Sequence, residues 1–555
     1  TLKDGNPDKQ AFKAVIGASE VGASASGHIG NNTTYIASVR QSYLQLLFRL
    51  LGLPMLPNYI DGQFKSRTRI DSRNEIAFIA LAGFDNMKLS DDPDDKGDEY
   101  LLSYLPVLKQ ETFTIGTSYK HFSDRHIQTY SLSYSYLNNR SRKYLDNDES
   151  VGDNLILYSS GLEGKAQIRC ENRSYYGPWT VREGAEFYFR HYDSDVYRRS
   201  RSGIPLDYGT GLSFFGGGVF VSADYKSPGG KLNASAGLRT DAASYSANTA
   251  SFWKQFSPRA SVSYLPWKNW SFNASAGFYH QLPPITALSF RDAEGGLANK
   301  DLDYMRVIST AVGADWKFRD RLFIGLEGFY KQFMDIPLSL ETGVPLTCTG
   351  ADYGSIGEEM MVSSSSGRAY GVELLVRWLI PDKLSLVGSA TLYKSEYKSA
   401  MDADYIPSAW DNRFILNVSG VYDLPKYWSI GVKVSAIGGS PYTPYDEDAS
   451  SLKVVWDAAG RPVYDYTKYN QSRLDPYYQI DLRVDKNFYF RKWTLGLYID
   501  LQNVTFSKIR QPDAYLSTGE VLNPDDLPLA QRYALETLEL WSGTIVPALG
   551  VTVEF

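Results

Sequence analysis

Apolar and small polar residues alternate along much of the chain. Tyr130-Ser-Leu132-Ser-Tyr134-Ser-Tyr136 repeats with period two, as do Trp493-Thr-Leu495-Gly-Leu497-Tyr-Ile499 and Leu549-Gly-Val551-Thr-Val553-Glu-Phe555. That period belongs to β-strands, whose successive side chains point to opposite faces. The second face carries Gly, Ser, Thr, Asn, Glu and Arg, too hydrophilic for a packed sandwich core. A barrel with lipid outside and water or a polar domain inside fits better. The connections agree with this. Tight ones such as Ser72-Arg-Asn74, Ser227-Pro-Gly-Gly230, Pro266-Trp-Lys-Asn269, Arg319-Asp-Arg321, Pro381-Asp-Lys383 and Arg491-Lys492 alternate with long polar stretches. The long stretches run from about Gln281 to Tyr304, Met334 to Gly367, Gly438 to Tyr478 and Lys508 to Gly543. Short turns on one rim and long loops on the other organise outer-membrane barrels. The pattern predicts an all-β fold, a 22-stranded antiparallel transmembrane β-barrel with short periplasmic turns and long extracellular loops. Its even strand count returns both chain ends to the periplasmic rim.

Composition sharpens this picture. The 555 residues carry a net charge of −6, which speaks against a nucleic-acid partner. No apolar run is long enough for a transmembrane helix. Two cysteines exclude a disulfide scaffold, and five histidines leave little for imidazole chemistry. Aromatics make up 14% of the chain. Trp179, Trp267, Trp270, Trp316, Trp378, Trp428 and Trp493 all fall beside proposed tight turns, as a periplasmic aromatic girdle requires.

Four blocks resemble the TonB-dependent outer-membrane transporters, which import scarce nutrients through 22-stranded barrels. The first is Lys3-Asp-Gly-Asn6 with Gly27-His-Ile-Gly30 and Ser38-Val-Arg40-Gln-Ser42-Tyr43-Leu44. The second is Ser257-Pro-Arg259 with Trp270-Ser-Phe-Asn-Ala-Ser-Ala-Gly277-Phe-Tyr279-His-Gln281-Leu-Pro283. The third is Gly367-Arg-Ala-Tyr370-Gly371-Val-Glu373 with Trp410-Asp-Asn-Arg413-Phe. The last joins Asp481-Leu-Arg483-Val-Asp485-Lys486 and Tyr498-Ile-Asp500-Leu-Gln-Asn503 to a terminal Phe555 resembling the family's assembly signal. The resemblance implies that residues 1–9 are the end of a plug and its junction, and residues 10–555 the transmembrane β-barrel. It implies a multi-pass protein of the bacterial outer membrane, embedded in outer-membrane lipid. It also implies energy-coupled import of siderophore-iron, haem, cobalamin, peptide or oligosaccharide, and coupling to the TonB–ExbB–ExbD complex through the N-terminal region. The family's plug precedes the point where this numbering starts, so a passive large-pore channel lacking a plug is the alternative expectation.

No P-loop, H-E-x-x-H, CxxC or Ser-His-Asp arrangement appears in the sequence, and neither a cofactor nor an enzymatic activity is expected. The candidate ligand-binding residues are aromatics of the external loops: Trp253, Trp410, Tyr442, Tyr445, Trp456, Tyr464, Tyr466 and Tyr469. Tyr and Trp offer rigid amphipathic faces that grasp sugars, aromatic siderophores or peptides, and equally serve to pack loops or form the outer aromatic belt. By alternation Arg259, Arg377, Arg413 and Arg483 should face the lumen. His121 and His126 flank one tight turn and are expected as a headgroup-facing pair. Asp91 to Glu99 is acidic enough to suggest calcium, but Lys96 and Ser103 stand at ligand positions of the EF-hand template, so a solvated loop is expected and no metal. Tyr43 to Pro57 is strongly apolar and predicts a short helix in the second external loop, ending before Pro54. It is expected to pack against the barrel-top aromatics, with docking of a surface lipoprotein partner or lid as the alternative. Cys170 and Cys348 are expected to stay free.

Overall fold

The computed structural model describes residues 3–90, 96–199, 205–350, 357–400, 403–459 and 461–555. Twenty-two strands close into one antiparallel barrel in chain order. They are β1 (Ala11–Gly17), β2 (Glu20–Ile29), β3 (Thr33–Ser42), β4 (Met55–Arg69), β5 (Asn74–Leu89), β6 (Val107–Phe122) and β7 (His126–Tyr144). Next come β8 (Leu155–Tyr176), β9 (Trp179–Arg198), β10 (Leu206–Lys226), β11 (Leu232–Ala243), β12 (Ser257–Trp267), β13 (Trp270–Gln281), β14 (Met305–Phe318) and β15 (Leu322–Ser339). The last are β16 (Met361–Ile380), β17 (Leu384–Lys398), β18 (Phe414–Leu424), β19 (Trp428–Ile437), β20 (Tyr477–Tyr489), β21 (Thr494–Gln502) and β22 (Val546–Glu554). The seam pairs β1 with β22 and is sealed by a Lys13–Glu554 ion pair of 2.7 Å and by main-chain bonds between Phe12 and Phe555. Closure leaves no unpaired edge, which lipid could not satisfy.

Alternation assigns the two faces. Leu132, Phe187, Phe215, Val219, Val312, Leu326, Val372 and Leu392 lie on one face and stay exposed, because this is the lipid side. The other face carries ion pairs: Arg40–Asp61, Arg169–Glu186, Arg190–Glu163, Arg239–Asp241 and Arg483–Asp485. Arg259 lies over Tyr279 at 4.3 Å, Arg377 over Phe323 at 5.7 Å and Arg483 over Tyr498 at 4.2 Å, all on the lumen side as expected. Arg413 lies outside the strand alternation. It precedes β18 with φ of 66°, in the left-handed turn that ends the ninth external loop. The segment before β1 lies along the lumen wall, where Asp4 pairs with Lys65 at 2.6 Å and Arg67 at 2.9 Å. Only glycine fits at Gly5, since a Cβ there would fall 2.0 Å from the Tyr35 carbonyl oxygen.

The periplasmic turns match the sequence pattern, down to consecutive left-handed residues at Arg319-Asp320 and Lys426-Tyr427. The tryptophans gather there. Trp270 stands opposite Trp316 and stacks on Phe272 at 6.0 Å, and Trp493 stacks on Phe490 at 4.2 Å. The eighth external loop is shorter than expected, because its two strands continue above the bilayer. β15 runs to Ser339 and β16 begins at Met361, and β7 to β10 are the longest wall at 19 to 22 residues. About 10 residues suffice to span the membrane. The apolar segment after β3 forms a helix over Leu44–Leu50, ending before Pro54, with Leu46 and Leu50 exposed.

Candidate ligand-binding vestibule

The extracellular mouth is built by loops folding over the lumen. Residues 282–304, after β13, lie against the lumen face of β9 and β10. There Ile285, Ala287, Leu288 and Leu302 pack on Tyr192, Leu212, Phe214 and Tyr245. Asn299 is buried at their centre. Its amide donates to the carbonyls of Ala287 at 2.8 Å and Glu359 at 2.9 Å, and its oxygen accepts from the Met361 N–H at 2.8 Å. The eighth loop brings Val344 and buried Cys348 against Tyr397, with Phe333, Ile406 and Tyr469 around them. Burial pushes the Cys348 thiol up to about 12, so this cysteine is inert packing. Both cysteines are free.

The tenth loop, residues 438–476, carries the tyrosines. Tyr445 stacks on Tyr464 with ring centroids 4.7 Å apart, Tyr464 meets Tyr466 edge-on at 6.4 Å, and Tyr466 stacks on Tyr469 at 6.0 Å. Tyr515 of the eleventh loop meets Tyr445 edge-on at 5.9 Å. Two anchors hold this row. At one end the Asn470 amide donates to the carbonyls of Cys348 at 2.8 Å and Pro407 at 3.0 Å, and Arg473 grips fully buried Asp411. At the other, Tyr445 reaches Tyr100 of the third loop. The first anchor rises from the wall around β15 to β18 and the second from β5 and β6, nearly opposite in a ring of 22. The row therefore crosses the mouth.

Its electrostatics follow from burial. The Tyr445 and Tyr469 hydroxyls are pushed well above the ordinary phenol range by desolvation, helped by neighbouring phenols and, at Tyr469, by the Cys348 thiol. Tyr464 and Tyr466 keep open faces at 43% and 53% exposure. The Arg461 guanidinium lies near Tyr100 and Tyr466 and opposes the rise in their pKa. The site offers aromatic faces, phenol donors and one cation.

Of the sequence candidates, Tyr445, Tyr464, Tyr466 and Tyr469 come together. Tyr442 lies in a two-residue ladder with Ser472 that ties down the loop. Trp410 is 64% exposed, and its carbonyl accepts from the lumen-facing Tyr393 hydroxyl at 2.6 Å, at the row's Tyr469 end. Trp456 rides on the helix Lys453–Ala459, whose first N–H donates to Gln531 of the eleventh loop, and makes no ring pair with the tyrosines among the described residues. Trp253 lies elsewhere. Its ring lies tilted against Phe252 at 4.3 Å, and the Phe252 carbonyl accepts from Thr240, which shares the outward face of β11 with Leu238. Tyr100, Tyr515 and Arg461 belong to the site without any local signal, because each is brought in by tertiary folding.

The remaining candidate chemistry disperses. His121 meets Asn74 at 2.8 Å and His126 meets Ser174 at 2.9 Å, each with its own neighbour. Among the described residues no cluster of three or more His, Cys, Asp or Glu could hold a metal. Asp91 to Asp95 of the acidic loop lie outside the described residues. The structure does assemble one Ser–His–Asp contact that sequence order hides. His191 meets Ser213 at 2.7 Å and Asp193 at 2.6 Å, from the adjacent strands β9 and β10. It lies open on the outer wall with Asp193 54% exposed, where nothing excludes water from a reaction.

The third loop is tied down by a buried amine. Lys143, at the top of β7 and 4% exposed, donates to the Leu102 carbonyl in the helix Lys96–Tyr104 and to Asn147. Burial pushes its pKa down to about 8. A base with a depressed folded pKa contributes stability that is full above its unfolded pKa and is lost as pH falls through the folded one. Amide exchange over residues 96–104, corrected for intrinsic rate, should therefore be faster at pH 6.5 than at pH 9. In Lys143→Met that difference should vanish. An equal pH effect in the variant would rule out Lys143 as its origin.

Residues 41–504 match the model of the family described as TonB dependent receptor-like, beta-barrel. The chain belongs to this family. TonB-dependent receptors of the outer membrane take up small-molecule nutrients and interact with TonB. No curated protein sequence matches the chain. Among solved structures it is similar to the siderophore receptor PiuA from Acinetobacter baumannii, with 12% identity and a TM-score of 0.64 over 100% of this chain and 82% of that one. It is also similar to the ferric-catecholate import receptor Fiu from K12 E. coli, with 12% identity and a TM-score of 0.66 over 100% and 82%. The copper transporter OprC shares 11% identity with a TM-score of 0.63 over 99% and 80%. At these identities the likeness is one of fold.

Proposed function

We infer that this TonB-dependent receptor imports a ferric chelate of the siderophore class. The observation that carries this reading is the tyrosine row with Arg461 beside it: flat aromatic faces and a cation suit an anionic, aromatic chelate. The similar folds of PiuA, a siderophore receptor, and Fiu, a ferric-catecholate import receptor, are consistent with it. The barrel's part in import is to hold the loops and seal the bilayer, with no covalent step. Residues 3–9, lying on the lumen wall, are read as the link to a plug through which the TonB–ExbB–ExbD complex would act.

The test is uptake by cells lacking the gene, supplied with radioiron as a ferric tris-catecholate, as haem or as inorganic iron. The tris-catecholate alone should depend on the gene, and that dependence should vanish when the proton gradient is collapsed. Gene-dependent uptake of haem only would overturn the substrate class. Uptake that survives collapse of the gradient would favour the passive pore.

A further inference from the structure

The rim of the barrel is uneven. β7 to β10 carry 19 to 22 residues each, whereas β1 to β3, β21 and β22 carry 7 to 10. In this low sector the lipid-facing side chains run up to the strand ends. Ile16 near the top of β1 pairs with Val21 of β2, and that row continues through Gln41 of β3 to Ile60 of β4. Ile16, Val21 and Ile60 are all exposed. The 10 residues of β3 climb about 25 Å at the ordinary strand rise and tilt, which is the height of the apolar band. The bilayer therefore reaches the top of β3.

The helix Leu44–Leu50 starts just above this row. Tyr43 ties it to the first external loop, its N–H donating to the Ser19 carbonyl at 2.7 Å and its hydroxyl to the Gly17 carbonyl. The helix then packs on β4, whose first residues rise above the end of β3. Leu56 of that strand points outward by alternation with Ile60 and Phe64, yet it is 4% exposed. The helix therefore covers the outer side of β4. Its own Leu46 and Leu50, four residues apart and so on one face, are 55% and 83% exposed, and Arg49 beside them is exposed as well. Leu527 and Leu529 of the eleventh loop are exposed too, but a hairpin carries them away from the wall. Arg532 beside that hairpin donates to the Asp448 carbonyl of the tenth loop at 2.7 Å.

We propose that the helix Leu44–Leu50 is an interfacial membrane anchor, with Leu46 and Leu50 among the outer-leaflet acyl chains and Arg49 reaching to the headgroups. Its free face is continuous with the lipid-facing row beneath it, so one apolar solvent covers both. Amphipathic helices bind membrane surfaces by setting an apolar face into the headgroup boundary, and a long basic side chain snorkels out of it. The second loop is thereby pinned to the leaflet where the rim is lowest, and is kept out of the ligand vestibule.

The test is spin-label accessibility of the full chain in phosphatidylethanolamine–phosphatidylglycerol bilayers. A nitroxide is placed at Leu46→Cys or Leu50→Cys in a Cys170→Ser background, Cys348 being buried. Both positions are exposed, so labelling them leaves the fold intact. Leu392→Cys, on the lipid face of β17, and Val151→Cys, in the fourth loop above two of the longest strands, set the two limits. Labels on the helix should behave as at Leu392, relaxed severalfold more by oxygen than by a water-soluble nickel complex. At Val151 the order should reverse. Nickel accessibility on the helix equal to that at Val151 would overturn the anchor and leave the face to a soluble or lipoprotein partner. Shielding from both relaxants would mean that another loop or a second copy covers the helix, and would overturn it equally.

Discussion

Tyr464→Ala/Tyr466→Ala should lower affinity for a ferric tris-catecholate by roughly a hundredfold while the loop keeps its shape. The two rings are the members of the row with open faces, and Tyr445 and Tyr469 are the half-buried ends that position them. Aromatic contact residues of this kind cost about 1–2 kcal/mol each when truncated. The anchors at Asn470 and Arg473 are left intact, so the loss is one of contact. Fluorescence titration on whole cells or purified protein measures it. Arg461→Gln should weaken an anionic chelate and leave a neutral ligand unchanged. Unaltered affinity in the double tyrosine variant would remove the row from the binding site.

Legibility from sequence stopped at the bilayer. Within the membrane, lipid and lumen impose one rule on every strand, so period two and the alternation of tight and long connections reveal the barrel, its closure and its orientation. Trp270 and Trp316 could be placed because a girdle is a height, and height follows from distance to a turn. Above the membrane the strand signal weakens as both faces become polar, and the ends of β15 and β16 were missed for that reason.

The loops obey no such local rule. Trp253 and Trp410 look alike in sequence, but Thr240 draws Phe252 and Trp253 to the outer wall, whereas Tyr393 draws Trp410 to the lumen. Tyr100 and Tyr515 join the row from loops hundreds of residues apart along the chain, brought there by closure of the barrel. Asn299 and Asn470, which hold the loops together, are unremarkable asparagines until their carbonyl partners are known. The aromatic candidates were legible as a class, and their grouping was not.

The joint between the ninth and tenth loops should be the most sensitive point of the mouth. Asp411 is fully buried, accepts from the Ser395 N–H at 2.9 Å and is neutralised by Arg473, which also donates to the Gly439 carbonyl at 3.0 Å. Arg473→Met leaves a buried carboxylate without its counter-ion, at a cost of about 3–5 kcal/mol. That exceeds what one loop can absorb, so the joint should open and not merely shift. Hydrogen exchange should then rise over residues 403–413 and 438–476, while the strands β17 to β19 stay protected by their ladders. Chelate binding should fall with it, because the Tyr469 end of the row loses its support. Adding Asp411→Asn removes the unpaired charge and should restore most of the protection, although Arg473 is still missing. If Arg473→Met alone leaves exchange in both loops unchanged, the ion pair does not hold the joint. If Asp411→Asn fails to rescue it, the arginine acts through its bonds to the loop carbonyls instead of through its charge.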